Sequence, residues 1–432
     1  MSAESADDRR ARTLLRAMFD AAVERAMPAD ILPALLPDKP RGRCVVVGAG
    51  KASAAMAAAI DSAWPDVDLS GLIVAPDGEA AGTGRIRIIA AAHPVPDQRS
   101  LDAGTQILAA VGDLAPDDLV LALISGGGSS LMVAPAPPMT LADKQEVNRL
   151  LLASGAPIAE MNVVRKHLSM IKGGRLALAA APARVVSLLV SDVPGDAPEA
   201  IASGPTVGDP STLDDVREIL ARRCIALPAR ALAALERSRE TPVPGDLAAD
   251  VRIVAAPSAS LAAAAHVAEQ TGIRAMILGD AIEGEARDVA QSHAVLAKGV
   301  SAGLKPGARS YVLISGGETT VTVTGAGRGG RNTEYLLALG VALDGAAGVH
   351  ALAADTDGVD GVEDNAGAFL DPGSLSRAER AGALAAAHLA DNDAYGFFAA
   401  IGGLVFTGPT RTNVNDFRAI IVEPPPDVSR SG

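Results

Sequence analysis

The feature that most constrains the fold is a repeated order of short β-branched run, glycine-rich turn and helical pattern. In the first half of the chain the runs are Cys44–Val47, Leu72–Ala75, Ile86–Ala91, Leu119–Ile124 and Val185–Val190. Helical patterns lie between several of these runs, at Lys51–Ser62, Leu141–Ala153 and Met161–Ala180. Strands that alternate with helices in this way predict a mostly parallel sheet with helices on both faces.

The same order begins again after a segment rich in proline, glycine and charge, Arg239–Asp250. New runs follow at Val251–Ala255, Ala275–Leu278 and Tyr311–Ile314. A chain of 432 residues with 49% hydrophobic residues is long enough for two cores. We therefore predict an α/β protein with Rossmann-like layering and two domains of mostly parallel sheets, at residues 1–245 and 250–432.

Charge and composition exclude several classes of function. A net charge of −13 argues against nonspecific binding to nucleic acids or anionic membranes, because both need clustered lysine and arginine. Cys44 and Cys224 are far apart in sequence and form no zinc or redox motif. The sequence shows no signal-peptide core and no membrane-length apolar run, so we expect a cytoplasmic protein.

Two glycine-rich turns follow predicted strands, where ligands bind in open α/β sheets. Gly50 and Lys51 lie where a helix begins, and the free amides of a helix N-terminus attract anions. The second turn consists of Ser125, Gly126, Gly127, Gly128 and Ser129, and glycine lets a backbone approach a phosphate closely. A tight structural turn is the alternative for the first segment, and a flexible turn is the alternative for the second.

Charged residues supply the other candidate ligands. Arg165 and Lys166 belong to a basic group with Lys172 and Arg175, which can bind an anion or form a solvated helix face. Arg331 and Asn332 follow a glycine-rich turn, and an arginine at that position can bind phosphate bidentately. The alternative for these two residues is a simple helix start.

Carboxylates follow two of the predicted strands. Asp192 ends one apolar run, and Asp355 and Asp357 follow another. Such oxygen ligands suit Mg²⁺, although the full EF-hand pattern is absent, and turns capped by aspartate are the alternative.

Motifs in a fixed order run from about Leu14 to Val422, and this ordered set resembles the class II glycerate kinases (glycerate 2-kinases), whose C-terminal half is the MOFRL domain. The motifs are GAGKAS, HPVPD, SGGGSS, MNVVRKHLS, IKGGRLA, SDVPGD, IASGP, SGGETTVTV, GGRNTE, ADTDGVDG and TGPTRTNVND. The resemblance implies an active site in a cleft between the two domains, ATP and Mg²⁺ as requirements, and 2-phosphoglycerate as product. It also implies that Lys51 and Arg331 are catalytic and that the turn from Ser125 to Ser129 faces phosphate.

Two other functions remain open at this point. A hydroxypyruvate reductase using NAD(P)H would share glycerate as a metabolite, with GAGKAS as a degenerate nucleotide loop. A non-catalytic sensor of sugar phosphates would bind its ligand without turnover. For partners we expect small molecules, glycerate and ATP, with no nucleic acid and no membrane, and with a homodimer as one option.

Overall fold

The computed structural model describes residues 5–78 and 84–425, which form two compact units. The first unit spans residues 28–254. The second unit combines the residues up to 27, which include helix α1 (Ala6–Glu24), with those from 255 onward.

The first unit is built on one six-stranded sheet. Its strands are β1 (Cys44–Ala49), β2 (Leu69–Pro76), β3 (Arg87–Ala91), β4 (Leu119–Ile124), β5 (Arg184–Val190) and β6 (Asp250–Ala255). The spatial order is β3-β2-β1-β4-β5-β6, and strands β1 to β5 pair in parallel. This is the strand order of a Rossmann sheet, and it places the topological switch point between β1 and β4.

Helices cover this sheet and extend beside it. They are α2 (Pro28–Leu35), α3 (Ser53–Ala63), α4 (Gln98–Val111), α5 (Gly128–Leu131), α6 (Leu141–Ala153), α7 (Ile158–His167), α8 (Arg175–Ala179), α9 (Leu213–Arg222) and α10 (Ala229–Arg237). Alternate residues of β1, β2 and β4 share one apolar core with α4 and α8. Helices α6, α7, α9 and α10 form a separate cluster with a core of its own.

The helix predicted over Met161–Ala180 is interrupted. Helix α7 ends at His167 and α8 begins at Arg175. Between them Gly173 and Gly174 have φ values of 56° and 78°, in the left-handed region that ends helices. The interruption turns the chain, and the basic residues of this segment therefore lie on different elements.

The second unit contains a six-stranded mixed sheet and a two-stranded one. Its strands are β7 (Arg274–Gly279), β8 (Gly284–Glu285), β9 (Tyr311–Gly317), β10 (Thr319–Thr320), β11 (Val349–Asp355), β12 (Gly367–Leu370), β13 (Leu404–Val405) and β14 (Asp416–Val422). The large sheet has the order β13-β12-β11-β14-β9-β7. The predicted α/β class is confirmed, but within this large sheet only β7 and β9 pair in parallel, and the other four pairings are antiparallel.

Helices pack on both faces of the mixed sheet. They are α1 together with α11 (Pro257–Gln270), α12 (Ala286–Gly303), α13 (Arg331–Leu343), α14 (Ser374–Arg380), α15 (Ala385–Ala390) and α16 (Ala394–Ala400). Helices α1 and α11 share an apolar core with one face of the sheet. Helices α12, α13, α14 and α16 share the core on the other face.

The division of the chain differs from the predicted domains 1–245 and 250–432 at two places. Leu15, Met18 and Phe19 of α1 are buried against the second sheet, and the rings of Phe19 and Phe417 lie 5.8 Å apart. Strand β6, predicted to open the second domain, instead extends the first sheet beside β5. An apolar helix stripe predicts burial but does not specify which sheet the helix covers.

In the ranges 5–78 and 84–425, no helix is both long and apolar enough to cross a bilayer. Cys44 is buried in β1, whereas Cys224 is exposed, and both are free thiols.

We expect Phe19→Ala to destabilise the second unit by about 3–5 kcal/mol, because the substitution leaves a cavity in the core beneath α1. Hydrogen exchange followed by mass spectrometry should show lost protection in β11 and β14, with β1 and β4 unchanged. Thr13→Ala, on the exposed side of the same helix, is the control. Lost protection in β1 and β4 instead would contradict the assignment of α1 to the second unit.

Candidate functional site

The turns that follow β1 and β4 contact each other at the switch point of the first sheet. The amide of Lys51 donates to the carbonyl of Gly126 at 2.9 Å, and the amide of Ala52 donates to Ser125 Oγ at 3.0 Å. Every amide from residue 50 to residue 53 has an acceptor within the protein. The backbone amides of this turn are therefore engaged within the protein, and the anion binding expected of Gly50 and Lys51 stays a prediction.

Two positions of the second turn must be glycine, because side chains that follow other strands occupy the space that a Cβ would need. A Cβ on Gly126 would lie 2.1 Å from Oδ2 of Asp192, which follows β5. A Cβ on Gly127 would lie 2.9 Å from the ring of His93, which follows β3, and Gly127 has a φ of 81°. The ends of β1, β3, β4 and β5 therefore converge on one glycine-rich turn.

Several of the groups that meet at this turn are hydrogen-bond donors. Within the described ranges, the amides of Gly126 and Gly127 donate to no acceptor in the protein. Partial burial and the positive charge of Lys51 lower the pKa of His93 below its usual value. Two available amides and a nearby lysine are the groups with which a glycine-rich turn binds phosphate.

The basic residues predicted as ligands separate into two groups. Arg165 is half-buried on α7 and donates through Nε to Asn148 Oδ1 at 3.2 Å. Lys166 points elsewhere and pairs with Asp209 at 3.1 Å, where both side chains are buried. Because adjacent helical residues point about 100° apart, the two side chains leave α7 in different directions. Lys166 is engaged by a buried carboxylate, and its predicted role in binding stays a prediction.

Arg331 is the first residue of α13 in the second unit, and three carboxylates hold it. Its Nε donates to Asp416 at 2.7 Å, Nη1 to Glu318 at 2.8 Å and Nη2 to Asp355 at 2.7 Å. Burial alone would lower the pKa of Arg331, but the charges of these three carboxylates outweigh it and raise the pKa. A guanidinium carries five N–H groups, so two remain beyond these three contacts.

The sheet register explains why these carboxylates meet. Asp355, the last residue of β11, lies opposite Asp416, the first residue of the antiparallel strand β14. Asp416 in turn lies opposite Gly317 at the end of β9, and Glu318 follows directly. Three adjacent strands thus place Asp355, Asp416 and Glu318 at one edge of the sheet, where α13 begins.

Asn332 supports this arrangement from inside the protein. Its side chain is fully buried and donates to Asp416 at 2.8 Å. Asp360 accepts the amides of Asn332 and Thr333 at 2.9 Å each, so it caps α13. Burial raises the pKa of Asp360, and the charge of Asp416 adds to this effect against the opposing amide donors. Asn332 thus orients Asp416, and its predicted role in binding substrate stays a prediction.

The three predicted metal ligands have different surroundings. Asp192 lies against the glycine-rich turn in the first unit, as described above. Asp355 is engaged with Arg331, and Asp357 accepts the amide of Val359 at 3.0 Å. In the described part of the chain, no three acidic, histidine or cysteine side chains come together as metal ligands. Mg²⁺ in phosphoryl-transfer sites usually relies on one or two carboxylates and the substrate phosphates, so a smaller set suffices.

Comparison with known proteins identifies the family. A domain of unknown function (DUF4147) matches residues 14–236, and the MOFRL family matches residues 311–416. A D-glycerate 2-kinase from Thermotoga maritima is 37% identical over 91% of this chain and 94% of its own sequence. The chain belongs to the glycerate kinase family.

Two further similarities bear on this family assignment. The crystal structure of a glycerate kinase from Thermotoga maritima matches with a TM-score of 0.86 and 34% identity, over 95% of this chain and 99% of that one. A protein from Agrobacterium vitis is 58% identical over 96% of this chain and 95% of its own. That protein carries the provisional name hydroxypyruvate reductase.

Two of the three carboxylates that contact Arg331 should differ sharply in how much their removal lowers the free energy of unfolding. Asp416→Ala should cost about 3–5 kcal/mol, because Arg418 and Asp416 are both almost fully buried and the arginine would lose its carboxylate. Glu318→Ala should cost less than about 1 kcal/mol, because that side chain is 55% exposed. Urea denaturation of both variants measures the difference, and equal losses would contradict a buried hub at Asp416.

Proposed function

We propose that the protein transfers the γ-phosphoryl group of ATP to D-glycerate and releases 2-phosphoglycerate and ADP. The observation that carries this proposal is the donor set at the switch point, where Gly126 and Gly127 present unused amides close to Lys51. Membership of the glycerate kinase family supports the same reaction, because relatives over nearly the whole length are named as glycerate kinases.

In this reaction a hydroxyl oxygen of glycerate forms a bond to the γ-phosphorus. The bond between that phosphorus and the β–γ bridging oxygen breaks, and ADP departs with the electron pair. Such transfers need positioning and charge neutralisation more than covalent participation by the protein. The amides of Gly126 and Gly127 and the ammonium of Lys51 would stabilise the negative charge on the transferring phosphoryl oxygens.

Arg331 is the second cation that we propose to be catalytic. Its three carboxylate contacts orient the guanidinium, and its two remaining N–H groups can donate to phosphate oxygens. Asp416 and Asp355 are buried, whereas Glu318 is largely exposed. Glu318 is therefore the contact that a phosphate would most readily replace, because an exposed ion pair is worth little.

The hydroxyl proton and the metal ion both require a carboxylate near the transferring group. Asp192 lies against the glycine-rich turn, so we propose it as the residue that would hold Mg²⁺ or accept the hydroxyl proton. Mg²⁺ supplies charge neutralisation at the phosphate oxygens when bound. Asp355 fits a cation poorly while it accepts from Arg331 at 2.7 Å, and Asp357 stays a prediction.

The name of the Agrobacterium vitis relative makes hydroxypyruvate reduction the second candidate. In dinucleotide-binding sheets the pyrophosphate contacts the amides of the turn after the first strand. Here the amides of residues 50–53 are already engaged by the protein. Ser53, at the third glycine position of that fingerprint, donates through its hydroxyl to the carbonyl of Leu123 at 3.0 Å. These contacts favour the kinase over the reductase.

Variants at the two proposed catalytic cations provide the test. With ATP, Mg²⁺ and D-glycerate, Lys51→Ala should slow ADP formation roughly 100- to 1,000-fold, and Arg331→Ala by at least about as much.

Lys305→Ala, which removes an exposed lysine, is the matched control, and circular dichroism checks that each variant is folded. NADH with hydroxypyruvate runs as a parallel assay. Oxidation of NADH without any ADP from the kinase mixture would refute the proposed reaction.

A further inference from the structure

A group of three cations lies beside the glycine-rich turn in the first unit. Lys144 on α6 and Arg165 on α7 donate to the same oxygen, Asn148 Oδ1, at 3.3 Å and 3.2 Å. Their charged groups are therefore only a few ångströms apart. The proximity of two like charges is costly unless something compensates for it.

Lys172 is the third cation and joins this group to the turn. Its Nζ donates to the carbonyl and to the hydroxyl of Ser129, at 2.8 Å each. The residue is 1% exposed. Burial, followed by the charges of Lys144 and Arg165, holds the pKa of Lys172 well below its usual value. The three residues therefore act on one another electrostatically although they lie on α6, on α7 and in the turn between α7 and α8.

Within residues 5–78 and 84–425, these three charges have no carboxylate partner. Across the described ranges, none lies within 4 Å of the charged nitrogens of Lys144, Arg165 or Lys172. The neighbouring Lys166 shows the contrast, because it has Asp209 as a buried partner. Buried cations without a carboxylate are expected where an anion binds.

Neutral side chains complete the surroundings of this group. Asn162 accepts from Arg165 Nη1 and from Ser203 Oγ, at 3.4 Å each, and Ser203 Oγ lies 3.0 Å from Ser129 Oγ. Ser203 has a φ of 64°, in the left-handed region that a serine rarely adopts. This network orients the guanidinium of Arg165 and the hydroxyl of Ser129 without adding negative charge.

We propose that Lys144, Arg165 and Lys172 bind the carboxylate of a small hydroxy acid beside the glycine-rich turn. The proposal rests on the proposed kinase function and assigns the acid end of its substrate. The fork of Arg165 can donate to the two oxygens of a carboxylate side by side. The available amides of Gly126 and Gly127, with Lys51, already provide for the phosphoryl group.

The kinetic test separates the two substrates. Arg165→Gln and Lys144→Gln should each raise the KM for D-glycerate roughly tenfold or more, because each removes a charge-assisted contact to the carboxylate. The KM for ATP should change by less than about twofold, since neither residue contacts the phosphate in this account. Arg149→Gln, an exposed arginine on the same helix as Lys144, is the control.

Two kinetic results would overturn the proposal. One is an unchanged KM for D-glycerate in both variants. The other is a rise in the KM for ATP instead, which would assign the three cations to the nucleotide. Both side chains are half-buried, so these variants are expected to fold even if Lys172→Met, at a fully buried position, does not.

Calorimetry measures binding of D-glycerate without turnover. It therefore tests the carboxylate site independently of whether the proposed kinase reaction occurs. D-glycerate should bind the unmodified protein and bind Arg165→Gln at least about tenfold more weakly, whereas glyceramide, its uncharged amide, should not bind measurably. This result would support the carboxylate site even if no ADP formed. Equal binding of glyceramide, or loss of inorganic phosphate binding alone in the variant, would refute it.

Discussion

The contact between the turns that follow β1 and β4 determines what the first unit can bind. The amides of residues 50–53 donate to Val74 on β2, to the second turn and to Gly50, so the first turn leaves no backbone donor of these residues for a ligand. The second turn keeps the amides of Gly126 and Gly127 available. In the proposed phosphate site, the roles of the two turns are therefore exchanged relative to a dinucleotide site on the same strand order.

The second unit fixes the side chain of Arg331 and leaves part of its guanidinium able to donate to a ligand. Asp416 accepts from Arg331, Asn332 and Arg418, so one buried carboxylate connects α13 with β14. Asp355 and Glu318 occupy the two remaining nitrogens of the guanidinium. A side chain fixed in this way loses little entropy when it meets a phosphate, which is the advantage of preorganised electrostatic stabilisation.

The sequence predicted the α/β class, most strands, and the turns that carry Lys51 and Arg331, because these depend on local periodicity and glycine placement. It did not predict the importance of Asp416, because ligand-binding residues were expected at the carboxyl ends of parallel strands. Strand β14 is antiparallel and brings its first residue to that edge. Lys166 and Lys172 belong to one basic segment, and the sequence does not distinguish them. The end of helix α7 turns the chain so that Lys172 points toward Ser129. The position of α1 on the second sheet depends on long-range packing that a helical stripe does not encode.

Identification of the product is the measurement that tests the central claim most directly. The unmodified protein is incubated with ATP, Mg²⁺ and D-glycerate, and the reaction is followed by ³¹P nuclear magnetic resonance. The account predicts loss of the γ-phosphate signal, growth of ADP, and a phosphomonoester coupled to the single C2 proton of 2-phosphoglycerate. A phosphomonoester coupled to the two C3 protons would contradict the assigned position of transfer, and no phosphomonoester at all would contradict the kinase function.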